Sequence, residues 1–272
     1  MGLERMESRA DDLVQPGEVV ALLQVERAEF VWRNQDGGLT YRLWPGGDYF
    51  TWVPPGYRGA LRAAGARAAW LRPQVAAPEF GPVRPGLRGW WVVSPALPGQ
   101  SAVSPDWIGR PAVAVAAIAT GLRRLHQIEV AACPFVVDRD ELFRSALDRV
   151  RRGSDWRRAP DDYLRAVSDE RALRLLTAVR GSASDLVVCH GDPCAPNTIV
   201  GPEGDFVGLV DLGDLGVLDR LADLAVASWS ISWNYGPGWE GLFFQTYGLV
   251  PDPDLNDAFR VLWQAADPPR PV

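Results

Sequence analysis

The hydrophobic pattern of the chain changes once, near residue 97, and this change constrains the fold more than any other feature. Before it, short apolar runs alternate with turns rich in Gly and Pro, which predicts strands over 25–34, 39–44, 48–53 and 89–97 and one helix over 57–71. After it, apolar residues recur every three or four positions, which predicts helices over 113–128, 138–152, 161–179 and from 220 onward. Two apolar strands, 185–190 and 206–212, interrupt the helices, and we expect them to form a hairpin-like insert. The pattern predicts an α+β chain with a β-rich domain (1–97) and a mainly helical domain (98–272).

Composition places the chain among cytoplasmic globular proteins. Hydrophobic residues make up 47% of its 272 positions, which is enough to bury a large core. No run reaches the roughly 20 apolar residues of a membrane helix, and the charged N-terminus lacks the apolar core of a signal peptide. The three cysteines are too few for a disulfide framework and suit a reducing compartment. We therefore expect a cytoplasmic protein without a membrane partner.

Charge is distributed unevenly, and lysine is absent. All 28 basic residues are arginines, so any mechanism that needs a lysine is excluded. From Asp185 to the end there are 13 acidic and 3 basic residues. Such an acidic third can be an ordinary solvated surface, or it can concentrate a divalent metal and a cationic substrate. No basic stripe is visible, so we expect no nucleic-acid partner.

Two motifs follow the two apolar strands of the C-terminal half. HGDPCAPN (190–197) begins where the first strand ends, and VDLGD (210–214) ends the second. A hydroxyl that attacks a phosphoryl group needs a carboxylate to orient it and accept its proton, and the phosphates need Mg²⁺. Magnesium prefers oxygen ligands from one or two side chains. Asp192 fits the role of base, and Asn197 with Asp211 fits that of the magnesium ligands.

These motifs resemble those of the aminoglycoside phosphotransferase family, relatives of the protein kinases that include the 3′- and 3″-phosphotransferases. The similarity extends to GLVDLGDLGVLDRLADLAV, LFFQTYGL, RRLHQIEVAACPF and GWWVVSPALPG, and so covers most of residues 25–260. It implies a protein-kinase-like bilobal fold with ATP or GTP between the lobes. It also implies a monomer or homodimer that phosphorylates a hydroxyl of an aminoglycoside-like cationic sugar and confers antibiotic resistance.

The resemblance assigns roles to single residues. It makes Asp192 the catalytic base and Asn197 and Asp211 the Mg²⁺ ligands. It places the hinge that meets the nucleotide base at Ser94, Ala96 and Leu97. His190 is expected to be a structural partner of the loop, and Asp219 and Asp223 are expected to brace the loop and the start of the next helix.

The chain departs from the family pattern at the phosphate clamp. A kinase-like site has a Lys on the third strand, paired with a helix Glu. Strand order places the Lys position at Thr51, which we prefer, and a looser alignment places it at Arg42; the Glu position falls at Ala64. Arg42, or Arg58, Arg62 or Arg67 on the following helix, can still supply a cation to a phosphate.

Two further departures concern the acceptor. Asp214 stands where family members often have Arg, and the tail has Gln264 and Ala265 where the family has acids. Asp267 is a candidate replacement, but the prolines beside it disfavour a helix there. Three hypotheses therefore stand: an active aminoglycoside kinase, which we favour, a degenerate kinase fold that binds nucleotide or ligand without transfer, and a kinase for a non-antibiotic metabolite alcohol.

Overall fold

The computed structural model describes residues 14–34, 36–153, 156, 165–180 and 185–266. They form two compact units that interleave along the chain: Met1–Arg62 with Glu79–Ala96, and Ala63–Pro78 with Leu97–Val272. The segment 63–78 thus clusters with the C-terminal region, because Ala68, Leu71 and Val75 are buried in the hydrophobic core of that unit.

The first unit contains one antiparallel sheet with the strand order β1-β2-β3-β5-β4. Its elements are α1 (Pro16–Leu23), β1 (Arg27–Arg33), β2 (Leu39–Trp44), β3 (Tyr49–Val53), β4 (Arg84–Gly86) and β5 (Gly89–Ser94). Alternation along the central strands buries one face, where Tyr41 and Phe50 pack in a core with Val19 of α1. The four predicted strands are confirmed; α1 and β4 were not predicted, because α1 is only eight residues long and β4 only three.

The second unit is mainly helical. Its helices are the second half of α2 (Arg58–Leu71), followed by α3 (Pro105–Ile108), α4 (Pro111–His126), α5 (Arg139–Arg151), α6 (Asp169–Arg180), α7 (Arg220–Tyr235), α8 (Glu240–Tyr247) and α9 (Pro253–Ala265). Of the helix predicted over 161–179, residues 161–164 lie outside the described residues. Helix α4 is buried along most of its length and packs against α8, whereas α5, α6 and α9 share a second core. Within the described part of the chain, no helix is both long and apolar enough to cross a membrane.

Five short strands lie among these helices: β6 (Gln100–Ser101), β7 (Leu186–Cys189), β8 (Thr198–Val200), β9 (Phe206–Leu209) and β10 (Gly216–Asp219). The predicted hairpin of 185–190 with 206–212 is wrong. Strand β7 pairs with β10, and β9 pairs with β8, which itself pairs with β6. Strands β8 and β10 are three and four residues long, too short to be recognised from alternation, yet they supply the true partners. This pairing places the ends of β7 and β9, and hence both motifs, in one unit.

Candidate active site

The imidazole of His190 connects the ends of the two motif strands. His190 follows β7 and is fully buried. Its Nε2 lies 3.0 Å from the carbonyl oxygen of Val210, and its Nδ1 lies 3.3 Å from the backbone nitrogen of Asp192. Because Nδ1 must accept from the amide, Nε2 carries the proton and donates to Val210. One ring therefore fixes the backbone of Asp192 and the residue before Asp211, as expected for a structural partner of the loop.

Asn197 makes a second connection between the same segments. It ends a single 3-10 turn, Ala195–Asn197. Its Nδ2 donates to the backbone carbonyl of Asp192 at 2.9 Å, and its own carbonyl accepts from the Val210 amide at 2.9 Å. The side-chain nitrogen of Asn197 is thus used internally, which leaves its amide oxygen as the atom available to a cation. The three residues predicted to act together lie together.

Gly191 shows how closely the two segments approach. Its φ is +88°, in the region that favours glycine. A Cβ built at this position would lie 2.4 Å from the carbonyl oxygen of Asp214. Position 191 therefore requires glycine for two reasons: its backbone conformation, and its close contact with the segment that follows Asp211.

The carboxylates of this site lie close enough to repel one another. Asp211 has a φ of +59° and lies at the surface of the described structure. Neighbouring protein groups nevertheless shield its carboxylate from part of its hydration. This desolvation, followed by repulsion from Asp192, raises the pKa of Asp211 to about 6, with a smaller contribution from Asp214. The Oδ1 atom of Asp192 is buried without a hydrogen bond to any described residue. A divalent cation would offset both costs, so the oxygen donors present fit Mg²⁺.

A buried carboxylate supports the loop that carries Asp192. Asp223, on the first turn of α7, accepts the amide of His190 through Oδ2 at 2.6 Å and the amide of Gly191 through Oδ1 at 3.0 Å. Its Oδ2 also lies 2.9 Å from Nε2 of His126, whose Nδ1 meets the Tyr247 hydroxyl at 2.8 Å. Burial alone would raise the pKa of Asp223, but the hydrogen bond and charge of His126 lower it below its ordinary value. The expectation that Asp223 braces the loop is confirmed.

The neighbouring acid, Asp219, also has the expected role. Its side chain accepts the Leu221 amide at 3.0 Å and caps the start of α7. His126, Cys189 and Asp223 place three potential metal-ligand atoms within 4.8 Å of one another. Since both Asp223 oxygens are hydrogen-bonded to the loop, we interpret this cluster as a support and not as a metal site.

Ser230 is a loop contact that the sequence analysis missed. Its hydroxyl accepts the Ala195 amide at 2.9 Å, and it receives a further hydrogen bond from Nδ2 of Asn234 at 3.2 Å. Ser230 lies seven residues after Asp223, so both side chains project from one face of α7 toward the loop. This spacing was the available signal. Cys194 directly precedes Ala195 in the same loop. Burial, followed by the negative charge of Asp192, raises the pKa of its thiol, so the thiol stays protonated.

The residues predicted to contact the nucleotide lie mostly on one face of the sheet in the first unit. Thr51 pairs with Thr40 and Val92, whereas Ser94 pairs with Tyr49. Alternation places Thr51, Arg42 and Ser94 on the face opposite the Tyr41–Phe50 core. On this face Ser94 is itself buried, and Val53 and Val92 pack with Leu61. Arg42 is exposed, and its guanidinium lies 4.8 Å from the centre of the Trp44 ring.

The remaining predicted positions belong to the hinge and to the C-terminal helix. Ala96 is exposed and ends the first unit, and Leu97, partly buried, belongs to the second. Gln264 and Ala265 are buried in α9, and Asp267 lies outside the described residues.

Three comparisons with known proteins agree with this geometry. The model of the phosphotransferase enzyme family matches residues 28–259. A streptomycin 3″-kinase of Streptomyces griseus is 34% identical over 239 residues, 81% of this chain and 85% of the relative. An aminoglycoside 3′-phosphotransferase of Escherichia coli is 33% identical over 172 residues, 61% of each chain.

Solved structures extend the likeness to the whole fold. The aminoglycoside phosphotransferase APH(3″)-Id from Streptomyces rimosus superimposes with a TM-score of 0.72 at 29% identity, over 92% of this chain and 99% of that one. The same enzyme in complex with ADP and streptomycin gives 0.68 at 30% identity, over 84% and 90%. The α+β fold of the chain is therefore the protein-kinase-like fold of these enzymes. Its sequence, its motif geometry and these comparisons establish that the chain belongs to the phosphotransferase enzyme family, as a phosphotransferase of the aminoglycoside type.

Proposed function

We propose that the protein transfers the γ-phosphate of ATP or GTP to a hydroxyl of a streptomycin-like aminoglycoside. The observation that carries this proposal is the joint fixation of Asp192, Asn197 and Asp211 by His190 and by the Asn197 contacts. Those hydrogen bonds hold a base and two oxygen donors in one place before any substrate arrives, and such positioning supplies much of the acceleration in phosphoryl transfer.

Asp192 acts as the base. Its carboxylate accepts a hydrogen bond from the acceptor hydroxyl and then its proton. The oxygen–phosphorus bond to the acceptor forms while the bond between the γ-phosphorus and the bridging β-phosphate oxygen breaks, and the nucleoside diphosphate leaves. The Oδ1 atom of Asp192 makes no hydrogen bond to a described residue, so it keeps its capacity to accept one. A positioned base of this kind contributes about 10²- to 10⁴-fold to the rate.

Asn197 and Asp211 would hold Mg²⁺. When bound, the ion neutralises charge on the phosphates. The chain contributes one neutral and one anionic oxygen donor, and His190 keeps their backbones in register through Val210. Desolvation, and then repulsion from Asp192, raises the pKa of Asp211, and a bound cation would favour its ionised form.

A streptomycin-like acceptor is favoured over a kanamycin-like one. The streptomycin 3″-kinase matches 81% of this chain, whereas the 3′-phosphotransferase named above matches 61%. The acidic residues from Asp185 onward favour a cationic acceptor of either kind.

A second candidate function is nucleotide binding without transfer. It is favoured by Thr51, which supplies a short hydroxyl where the family has a lysine ammonium group. We rank it second because the lysine positions the phosphates, whereas the base and metal ligands act on the transferred group.

Turnover of ATP and GTP with Mg²⁺, tested against streptomycin, kanamycin, neomycin and a panel of metabolite alcohols, distinguishes these possibilities. We expect turnover with streptomycin that disappears in Asp192→Asn. Turnover with kanamycin alone would move the chain to the 3′ class, and turnover with an alcohol alone would remove the antibiotic role. Mg²⁺-dependent binding without turnover would support the second candidate. The cytoplasmic location and the monomeric or homodimeric state remain predictions, which fractionation and light scattering would test.

A further inference from the structure

Arg67 connects helix α2 to the segment that carries Asp211. Its Nε donates to the backbone carbonyl of Leu215 at 2.9 Å, although the two residues are 148 positions apart in sequence. Its guanidinium also lies 5.0 Å from the centre of the Phe135 ring. Arg67 stands one helical turn after Ala64, where the resemblance implies a glutamate.

The segment 211–215 needs support at both ends. Asp211 occupies the left-handed region, with a φ of +59°, a conformation that is strained for a residue other than glycine. The start of the segment is held by Val210, which donates to Asn197 and accepts from His190. Within the segment, the turn bond from the Leu215 amide to the Leu212 carbonyl is long, at 3.3 Å.

The far end of the segment is held by Arg67 and Phe135 together. Arg67 binds the Leu215 carbonyl, and the Phe135 carbonyl accepts the Val217 amide at 2.7 Å. Trp70, one turn after Arg67, packs edge-on against the Phe135 ring at 5.9 Å. Helix α2 thus reaches the start of β10 by a hydrogen bond and by two contacts with one aromatic ring.

Arginine suits this position for a chemical reason. Its planar guanidinium can stack on a ring while an N–H in the same plane donates sideways, and the round ammonium of lysine cannot do both.

We infer that Arg67 is a positioning residue for the metal-binding segment: by holding Leu215 it fixes the backbone that presents Asp211. This role rests on the proposed function, because it assumes that Asp211 is a Mg²⁺ ligand. It is distinct from a phosphate contact, the role considered for this arginine from the sequence, because the atoms it binds belong to the protein.

Two measurements, made on the variants Arg67→Met and Arg67→Lys, test the inference. The control is Arg124→Met, which removes an arginine that lies over another ring, that of Phe206, at 5.5 Å. The first measurement is amide hydrogen exchange of the ligand-free protein. We expect exchange over 211–217 to accelerate roughly 3- to 10-fold in Arg67→Met, the effect of losing one hydrogen bond. Helix α5 should keep its wild-type rates, and Arg67→Lys should fall between.

The second measurement is calorimetric binding of ADP with and without Mg²⁺. Arg67→Met should weaken the Mg²⁺-dependent part of the affinity by a similar factor and leave Mg²⁺-free binding unchanged. A general loss of stability would weaken both equally, and it would raise exchange in α5 as well.

Unchanged exchange over 211–217 in Arg67→Met overturns the inference, as does acceleration spread evenly over the chain. A wild-type protein that neither turns over nor binds Mg²⁺–nucleotide rejects the proposed function instead. The exchange comparison would still decide whether Arg67 holds the segment, because it needs no ligand.

Discussion

The loop around Asp192 and the sheet face around Thr51 differ in how firmly their predicted functional residues are held. In the loop, hydrogen bonds with the side chains of His190, Asn197 and Asp223 hold the backbone of Val210, Asp192 and Gly191, respectively. On the sheet face, Arg42 is exposed with its guanidinium over the Trp44 ring, and Thr51 has a short side chain. We infer that the chemistry depends on a fixed scaffold, whereas phosphate contacts tolerate replacement. Changes in the loop should therefore have large effects, and changes on the sheet face graded ones.

The largest expected effect follows from Asp192→Asn. The amide cannot accept the hydroxyl proton, so kcat should fall by about 10³-fold or more, while the melting temperature stays within a few degrees of wild type. Steady-state kinetics with the accepted substrate measures the loss. The control is Asp205→Asn, an exposed carboxylate in the turn before β9, which should keep wild-type kcat. Full activity of Asp192→Asn would remove the assignment of the base and, with it, the contrast between the two regions.

The next effect, on stability, concerns the support behind the loop. Asp223→Asn replaces one acceptor oxygen with a donor that faces the loop amides. The free energy of unfolding should therefore fall by roughly 2–4 kcal/mol, as for a buried hydrogen-bonded charge. Urea unfolding measures it. Asp252→Asn is the matched control, because Asp252 also accepts two amides, at an exposed helix start, and its loss should cost about 1 kcal/mol or less.

The pH dependence of the stability difference between wild type and Asp223→Asn gives a sharper test. The pKa of Asp223 is lowered in the folded protein, so its stabilisation is complete above the unfolded pKa and disappears as pH falls through the folded value. The difference between wild type and Asp223→Asn should therefore shrink below about pH 4. An unchanged difference at acid pH would mean that shape, and not charge, accounts for the role of Asp223.

The contrast between the two regions also explains what the sequence could predict. Asp192, Asn197 and Asp211 were identifiable because each follows an apolar strand and belongs to a specific motif. The pairing of β7 with β10 was not, because a four-residue strand has too little alternation to be recognised. The contacts of Ser230 and Arg67 were harder to predict, because their partners are backbone atoms of residues 35 and 148 positions away. The spacing from Asp223 indicates which face of α7 carries Ser230, but it does not identify the partner.

On the sheet face, Arg42→Met should have a smaller effect. If the guanidinium replaces the missing lysine, the KM for nucleotide should rise roughly 3- to 10-fold, with the acceptor KM unchanged, since one charge-assisted hydrogen bond is lost. Arg27→Met is the matched control, because Arg27 lies over the same Trp44 ring at 4.9 Å. Equal effects of the two changes would assign the result to Trp44 packing and remove Arg42 from the predicted clamp positions.

The smallest expected effect is a gain in stability from Asp211→Asn. The folded pKa of Asp211, about 6, lies above its unfolded value, so the ionised carboxylate destabilises the fold at neutral pH and this penalty fades as pH falls through 6. Asparagine removes the charge and tolerates the left-handed conformation at least as well. Without Mg²⁺, we expect the melting temperature to rise by roughly 1–3 °C at pH 7.5 and by less at pH 5, while Mg²⁺-dependent nucleotide binding is lost.

Asp214→Asn is the comparison for this change, because Asp214 contributes less than Asp192 to the raised pKa of Asp211. It should give a smaller gain and retain Mg²⁺-dependent nucleotide binding. An equal gain in Asp211→Asn at both pH values would mean that relief of backbone strain, and not of charge, is responsible. A gain confined to neutral pH would mean that the cost lies in the ionised carboxylate, which protonation or a bound cation relieves, so the rigid scaffold holds repelling carboxylates together at neutral pH until a cation binds.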